Sequence, residues 1–441
     1  MATTPDRRTD PRPPSARAGE ATRADVGPRS FLRKLGPGLI TGAADDDPSG
    51  IATYSQAGAA FGFGLLWTAI ICLPLMVTVQ LMCARIGLVS RSGLASALRD
   101  HYPRWLLWTA CALLLVGNTV NIAADLGGMA AAAAMLSGVP AAPLVPVFAV
   151  LILALLVYAS YERMTQIFKW MTLALFTYVI AAVLAHPHWL AVLAGTLIPH
   201  IALTQDYLLT FVAILGTTIS PYLFFWQAAQ TAEQNQHIAM RFPFRRRRAL
   251  GREVRDARLD TWVGMLASEV IMYFIILTAG ATLHQSGVTD VQTAAQAAAA
   301  LRPAAGSLAS WLFALGIVGT GLLGVPVLAG SAAYAVSEAA GWERGMDEKP
   351  HAAKEFYGVM AIAMLIGTLL ALLRINAIKL LLWSAVANGV LAPPLIVIIL
   401  FVCNNDTVMG KYRNGRTANV LGWIAAVLMT AAAIAMIVSF L

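Results

Sequence analysis

Beyond residue 34 the chain is divided into eleven apolar runs, at 35–60, 63–86, 105–136, 142–160, 167–185, 207–232, 260–283, 307–335, 355–373, 379–403 and 418–440. A helix needs roughly 20 apolar residues to cross a bilayer. In lipid only helices or closed barrels satisfy every backbone donor and acceptor. Runs of this length predict an all-α integral membrane protein with eleven transmembrane helices. Hydrophobic residues make up 58% of the chain and charged ones 12%, against about 25% charged in soluble domains. Cys72, Cys83, Cys111 and Cys403 all lie in these runs and form no C-x-x-C. They read as buried small side chains rather than a disulfide or zinc framework.

The net charge of +8 does not point to a nucleic-acid partner, because of where the charge sits. Residues 1–34 carry Arg7, Arg8, Arg12, Arg17, Arg23, Arg29, Arg33 and Lys34 among Pro, Thr and Asp, the composition of a disordered cytoplasmic tail. The 31 lysines and arginines all fall in this tail or on its side of the spans, except Arg302, Arg374 and Lys379. By the positive-inside rule the N-terminus is cytoplasmic and the C-terminus outside, in a multi-pass protein of the cell membrane. The loop at 241–258 holds Arg245, Arg246, Arg247 and Arg248. It reads as a topology signal, with anionic lipid headgroups as the alternative.

Within the first apolar run stand Asp45-Asp46-Asp47-Pro48-Ser49-Gly50. Each charged residue at a helix centre costs roughly 2.5–3.5 kcal/mol on insertion scales, so such residues mark ion or substrate paths. Pro48 removes a backbone donor and Gly50 lets the chain leave helical geometry. The expected result is a helix broken in mid-membrane with carbonyls and a carboxylate at the gap, which is how secondary transporters build cation sites. The sixth run repeats the device in Gly216-Thr217-Thr218-Ile219-Ser220-Pro221-Tyr222. Two interruptions at a five-span offset predict inverted repeats at 35–185 and 207–403, with 418–440 added.

Asn118, Asn121 and Asp125 share one helical face in the third run. They read either as inter-helix hydrogen bonding or as lining of an aqueous path, to which Asn388 is a further candidate. Gln80 and Glu269 read as packing or pairing near interfaces. The glycines of the eighth run, Gly316, Gly319, Gly321, Gly324 and Gly330, read as close helix packing.

With these residues in view, the sequence resembles the Nramp family of divalent metal transporters. Gly36-Pro37-Gly38 and Asp47-Pro48-Ser49-Gly50 look like that family's G-P-G opening and D-P-G-N metal motif. Gly216 to Tyr222 is similar to its G-A-T-x-M-P-H, and Arg258-Leu259-Asp260 and the glycine-rich eighth run follow in order. The resemblance spans about residues 31–441 and implies a LeuT-type fold with a 5+5 inverted repeat and broken helices 1 and 6. It implies that Asp47 is a metal ligand, joined by the Ser220 and Thr217 hydroxyls and by carbonyls near Ala44 and Thr217. Gly50 stands where the family has asparagine, Ser220 where it has methionine, and Tyr222 where it has histidine.

Loss of the thioether leaves oxygen donors, which suit hard cations. Small residues at positions 50 and 220 leave room for the waters that magnesium keeps. The pattern is similar to the Nramp-related magnesium transporters. Tyr222 removes a group that exchanges protons near neutral pH, and Tyr161–Lys169 holds no clear counterpart of the family's proton relay. The expectation is a monomeric secondary transporter, not an enzyme. It carries no cofactor and moves Mg2+ or Mn2+ without proton coupling, with Asp45, Asp46, Tyr222, Asn388, Asn121 and Asp125 as path candidates. A proton-coupled Mn2+/Fe2+ importer is the first alternative, and a sodium-coupled symporter of a small organic substrate is the second.

Overall fold

The first span is two helices, α1 (Pro37–Asp45) and α2 (Pro48–Phe61), in a computed structural model that describes residues 37–158, 173–241, 250–346, 348–373 and 375–441. Asp46 and Asp47 separate them, Asp47 in extended backbone at φ −68° and ψ 172°. Pro48 sits at the first helical position of α2, where its missing N–H costs nothing. The expected cytoplasmic tail, the Arg245–Arg248 run and the Tyr161–Lys169 stretch lie outside the described residues.

Then follow α3 (Trp67–Ser90), α4 (Leu94–His101), α5 (Arg104–Ser137), α6 (Ala141–Tyr158), α7 (Thr177–Leu184) and α8 (Trp189–Leu197). The second half contains α9 (Gln205–Thr218), α10 (Pro221–Arg241), α11 (Leu250–Ala279), α12 (Ala309–Ala340), α13 (Lys354–Ala371), α14 (Ala377–Asn404) and α15 (Arg416–Ser439). Every regular element among the described residues is helical. Nine helices among them are long and apolar enough to cross a membrane, with α9 and α10 taken together across their break. The nine do not include the first span, which is split. Nor do they include the fifth, of which only Leu173–Leu184 falls among the described residues.

Pro221 opens α10 as Pro48 opens α2, and α9 ends at Thr218. The two broken spans lie together, α9 against α2 and α10 against α1, with α9 also along α14 and α1 along α11. Small residues permit these contacts, since tight approach rather than hydrophobic burial drives helix association in lipid. A Cβ on Gly42 would stand 2.3 Å from the Gly264 backbone of α11, and one on Gly216 would stand 2.1 Å from the Ala385 carbonyl oxygen of α14. Outward, α6 exposes Val147, Val150 and Leu151, α13 exposes Ile362, Leu365 and Leu369, and α15 exposes Val420, Val427 and Ile434. Those faces suit acyl chains.

The N-terminus of α1 has an unusual cap. Its unpaired Gly38 and Leu39 N–H groups donate to the Asp260 carboxylate of α11, at 2.7 and 3.1 Å. Beside them the Thr41 hydroxyl donates to Gln227 Oε1 of α10 at 2.5 Å. One carboxylate thus satisfies two orphan donors where α1 meets α11 at its glycines. Replacing Gly42 with valine forces this seam apart, and such overpacking typically costs about 1–3 kcal/mol. Thermal unfolding of the purified protein should show a clear loss for Gly42→Val and none for Gly358→Ala, whose site has open space around it.

Candidate functional site

The Asp47 carboxylate is almost fully buried, at 1% exposure. Its Oδ1 accepts from the Gly50 N–H at 2.8 Å and from the Ser49 hydroxyl at 2.6 Å. It therefore caps α2 and meets the positive end of that helix's dipole. The opposite oxygen, Oδ2, lies 3.3 Å from the Tyr222 hydroxyl, which donates at the shorter distance of 2.9 Å to the Ala44 carbonyl at the end of α1. A phenol has one proton, so Oδ2 keeps most of its capacity for a cation.

Three further groups converge there. Gly50 lacks a side chain where a Cβ would meet the Thr217 hydroxyl at 3.1 Å, and that hydroxyl has no hydrogen-bond partner. In α12, a Cβ on Gly324 would lie 3.3 Å from the Asp47 Cβ, 3.9 Å from Asp125 Oδ2 and 4.0 Å from the Ala44 carbonyl oxygen. Asp125 on α5 is fully buried; the Ser49 backbone N–H interacts with it, although neither oxygen meets a donor in full hydrogen-bond geometry. It is also an electrostatic neighbour of Asp47. The gap at Gly324 is thus walled by the Asp47 Cβ, the Asp125 carboxylate and the Ala44 carbonyl, with the Thr217 hydroxyl close by at Gly50.

The structure brings together Asp47, Ala44, Gly50, Thr217, Tyr222 and Asp125. Ser220 behaves differently from the expected hydroxyl ligand. Its proton turns back to the Gly216 and Thr217 carbonyls, at 3.0 and 2.7 Å, and satisfies the orphaned acceptors at the end of α9. The Thr217 carbonyl thus already accepts one hydrogen bond, and Thr217 also offers its unpartnered hydroxyl. Asp45 and Asp46 both turn to Ser268 of α11, at 2.7 and 3.1 Å. Asn121 sits one turn before Asp125 with both amide atoms unpartnered. Asn388 Oδ1 lies 3.5 Å from the Cβ position of Gly117, one turn earlier again on α5.

Gln80 and Glu269 fit the packing reading better than the pairing one. Both are buried, with Gln80 Oε1 and both Glu269 oxygens lacking a donor. Gly324 is part of the site as well as of the helix packing. Ser49 was not singled out, although a serine two residues after an aspartate is a local turn signal.

A cavity of about 480 Å³ opens on one side of this centre, lined by Ala52, Gln56, Asp206, Thr210, Asp290 and Lys379. Ala52 is five residues past Asp47 on α2, about 7 Å along a helix at 1.5 Å per residue. At the other end of the first span, α1 packs tightly on α11 at Gly42 and Gly264 and is capped by Asp260. A smaller cavity of about 240 Å³ lies at Ser92, Gln236, Tyr334, Glu338 and Arg344. There the buried Glu338 carboxylate holds the start of α4 through the Gly93 and Ser96 N–H groups, at 2.9 and 3.0 Å, and pairs with Arg344 Nε at 3.3 Å.

The family model for natural resistance-associated macrophage protein-like (Nramp) proteins matches residues 38–439. The divalent metal cation transporter MntH of Deinococcus radiodurans is 28% identical over 97% of this chain and 95% of its own length. That of Aeromonas hydrophila is 24% identical over 89% and 92%. Among solved structures, a manganese transporter of Eremococcus coleocola superposes with a TM-score of 0.76 at 19% identity, covering 93% of this chain and 87% of that one. Mhp1, a nucleobase-cation-symport-1 family transporter, superposes at 0.57 and 13% identity, with 92% of each chain covered. Both likenesses are of fold, the LeuT-type arrangement with broken first and sixth spans. The chain belongs to the Nramp family, whose members are multi-pass membrane transporters and not enzymes.

Proposed function

We propose that this protein carries divalent metal cations across the cell membrane, with the ion held between the two broken spans by Asp47 and Asp125. The single observation that carries the reading is the buried Asp125 carboxylate, short of donors, at the gap where Gly324 meets Asp47 and the Ala44 carbonyl. The named relatives support the substrate class. A hard ion, Mg2+ or Mn2+, fits best, since the donors are carboxylates, the Thr217 hydroxyl and the Ala44 carbonyl. Among the described residues no three His, Cys, Asp or Glu side chains converge to hold a bare ion. An ion that keeps part of its water shell matches that donor count, and magnesium dehydrates reluctantly.

A second reading, a Mn2+/Fe2+ importer of the proton-coupled kind, has one observation in its favour. Met129, one turn past Asp125, brings its sulfur to within 2.4 Å of the Cβ position of Gly321, a point 3.3 Å from Pro48 Cγ. A thioether so placed favours softer metals. Against proton coupling, Tyr222 acts as a hydrogen-bond donor to Ala44 and takes the place of a titratable imidazole. Uptake then runs on the membrane potential, which contributes ~4.6 kcal/mol per 100 mV to a divalent ion at ~2.3 per charge. The reading also takes the chain as a monomer in the lipid bilayer, N-terminus cytoplasmic and C-terminus outside. It takes 35–185 and 207–403 as inverted repeats and 418–440 as an added helix. The cavity beside Gln56 then faces outward.

Three outcomes are expected in proteoliposomes. Asp47→Asn cuts divalent flux by at least about tenfold, the equivalent of ~1.4 kcal/mol, while the protein still folds; wild-type flux would remove Asp47 from the site. With a pH dye enclosed, Mg2+ or Mn2+ entry leaves the lumen unacidified, whereas acidification in step with metal entry restores the proton-coupled reading. Ser220→Met raises the cadmium-to-magnesium ratio measured by competition against Mn2+ flux. An unchanged ratio in an active variant means that position 220 does not reach the ion.

A further inference from the structure

Along α10 and α12, one indole stands between the proposed site and the smaller cavity. From the gap at Gly324, α12 runs on to Gly330 and Tyr334, about 9 and 15 Å further at 1.5 Å per residue. From Pro221, α10 runs beside it through Trp226, Gln230 and Glu233. Trp226 is fully buried, and its ring fills the notch that Gly330 leaves, where a Cβ would stand 2.7 Å from Cζ3. Tyr334 meets that ring edge-on, with centroids 6.0 Å apart and planes at 68°. It also meets Phe356 of α13, with centroids at 4.9 Å. The cavity of about 240 Å³ is lined by Ala229, Glu233 and Tyr334, so it begins where the rings end.

The Tyr334 hydroxyl fastens the rings in place. It accepts from Gln230 Nε2 at 3.0 Å and from the Met346 N–H at 3.0 Å, and it donates to Glu233 Oε2. Gly345, at φ 148°, brings the turn close, since a Cβ there would stand 2.9 Å from Glu233 Oε1. One hydroxyl thus joins α10, α12 and the turn that precedes α13. The helices it joins differ in freedom. Whereas α12 is continuous from Ala309 to Ala340, α10 is separated from α9 by Ile219 and Ser220. Residues at the ends of elements absorb the backbone changes of hinge motion, so α10 can turn on its break once the indole leaves its notch.

We propose that Trp226, seated at Gly330 and held by the Tyr334 clasp, is a gate between the ion site and the smaller cavity. The ion then leaves between α10 and α12. A constriction lined by apolar and aromatic groups shuts by excluding water, and the indole ring offers a hydrated cation no oxygen ligand. The cargo is that of the transport reading, on which this role rests, while the closure itself rests on the contacts of Trp226 and Tyr334.

The test is thiol labelling in membrane vesicles of known sidedness. Thr217→Cys places a reporter at the site, in a chain whose four native cysteines are buried. A membrane-impermeant methanethiosulfonate is applied to right-side-out and to inverted vesicles. Tyr334→Phe keeps the ring and removes the clasp, whereas Gly330→Ala keeps the clasp and displaces the indole. Loss of a buried hydroxyl leaves its partners unpaired, so Tyr334→Phe should speed labelling from the Tyr334 side at least about tenfold. Gly330→Ala should act in the same direction, and neither should speed labelling from the Gln56 side. If Gly330→Ala does not fold, Trp226→Phe replaces it, with the same one-sided rise expected. A rise from both sides alike is general loosening and overturns the gate, as does an unchanged rate from the Tyr334 side in every variant. Mn2+ and Mg2+ flux is followed in vesicles of the unsubstituted protein. No flux there with a one-sided labelling shift keeps the gate and removes the transport reading; flux with no shift does the reverse.

Discussion

The architecture of the centre depends on a carboxylate serving as a helix cap at membrane depth. Asp47 satisfies the first donors of α2 through the Gly50 N–H and the Ser49 hydroxyl, and it ends α1 by taking extended backbone. Charge that lipid would penalise is thereby stabilised by a helix terminus. Only one of its oxygens is consumed in this way. The other lies 3.3 Å from the Tyr222 hydroxyl, while the Asp47 Cβ, Asp125 and the Ala44 carbonyl border the space that Gly324 leaves open. The same residue thus makes the break and supplies charge to it, so the structural and chemical roles cannot be separated by position.

The two broken spans solve the same problem with different chemistry. At α2 an anionic side chain satisfies backbone donors. At the end of α9 the Ser220 hydroxyl satisfies backbone acceptors. The first solution leaves a negative group beside the gap, and the second leaves it neutral. Tyr222 then links the two spans through its hydrogen bond to Ala44 at the end of α1. A methionine at position 220 could not close the α9 carbonyls in this way, so substitutions there act on helix geometry as well as on donor softness.

Local sequence carried the parts of this that depend on neighbours in the chain. Runs of apolar residues gave the spans, Pro48 and Pro221 gave the breaks, and Asp47 followed from both. What depends on contacts between distant segments was not legible. Glu269 looks the same in sequence whether it meets a partner or lies buried with neither oxygen meeting a donor. The rotation of Asp45 and Asp46 toward Ser268 rests on α1 lying along α11, which no local pattern encodes. Glycine in α12 signals close approach but not what approaches. Asp125 reads equally in sequence as bundle glue and as path lining, and its place opposite Gly324 comes from the packing of α5 on α12, which sequence does not encode.

The Asp260 cap has a consequence for biogenesis. Gly38 and its acceptor are separated by 222 positions in the chain. At ribosomal rates of about 5–20 residues per second, roughly 10–40 s pass between the synthesis of one and the other. During that interval the first span has entered the membrane with three adjacent aspartates and neither its amino-terminal acceptor nor Ser268. It has to be sheltered by the insertion machinery or by earlier spans until α11 is delivered. The acidic first helix, although it is the first to be made, thus waits for α11 to reach its final place.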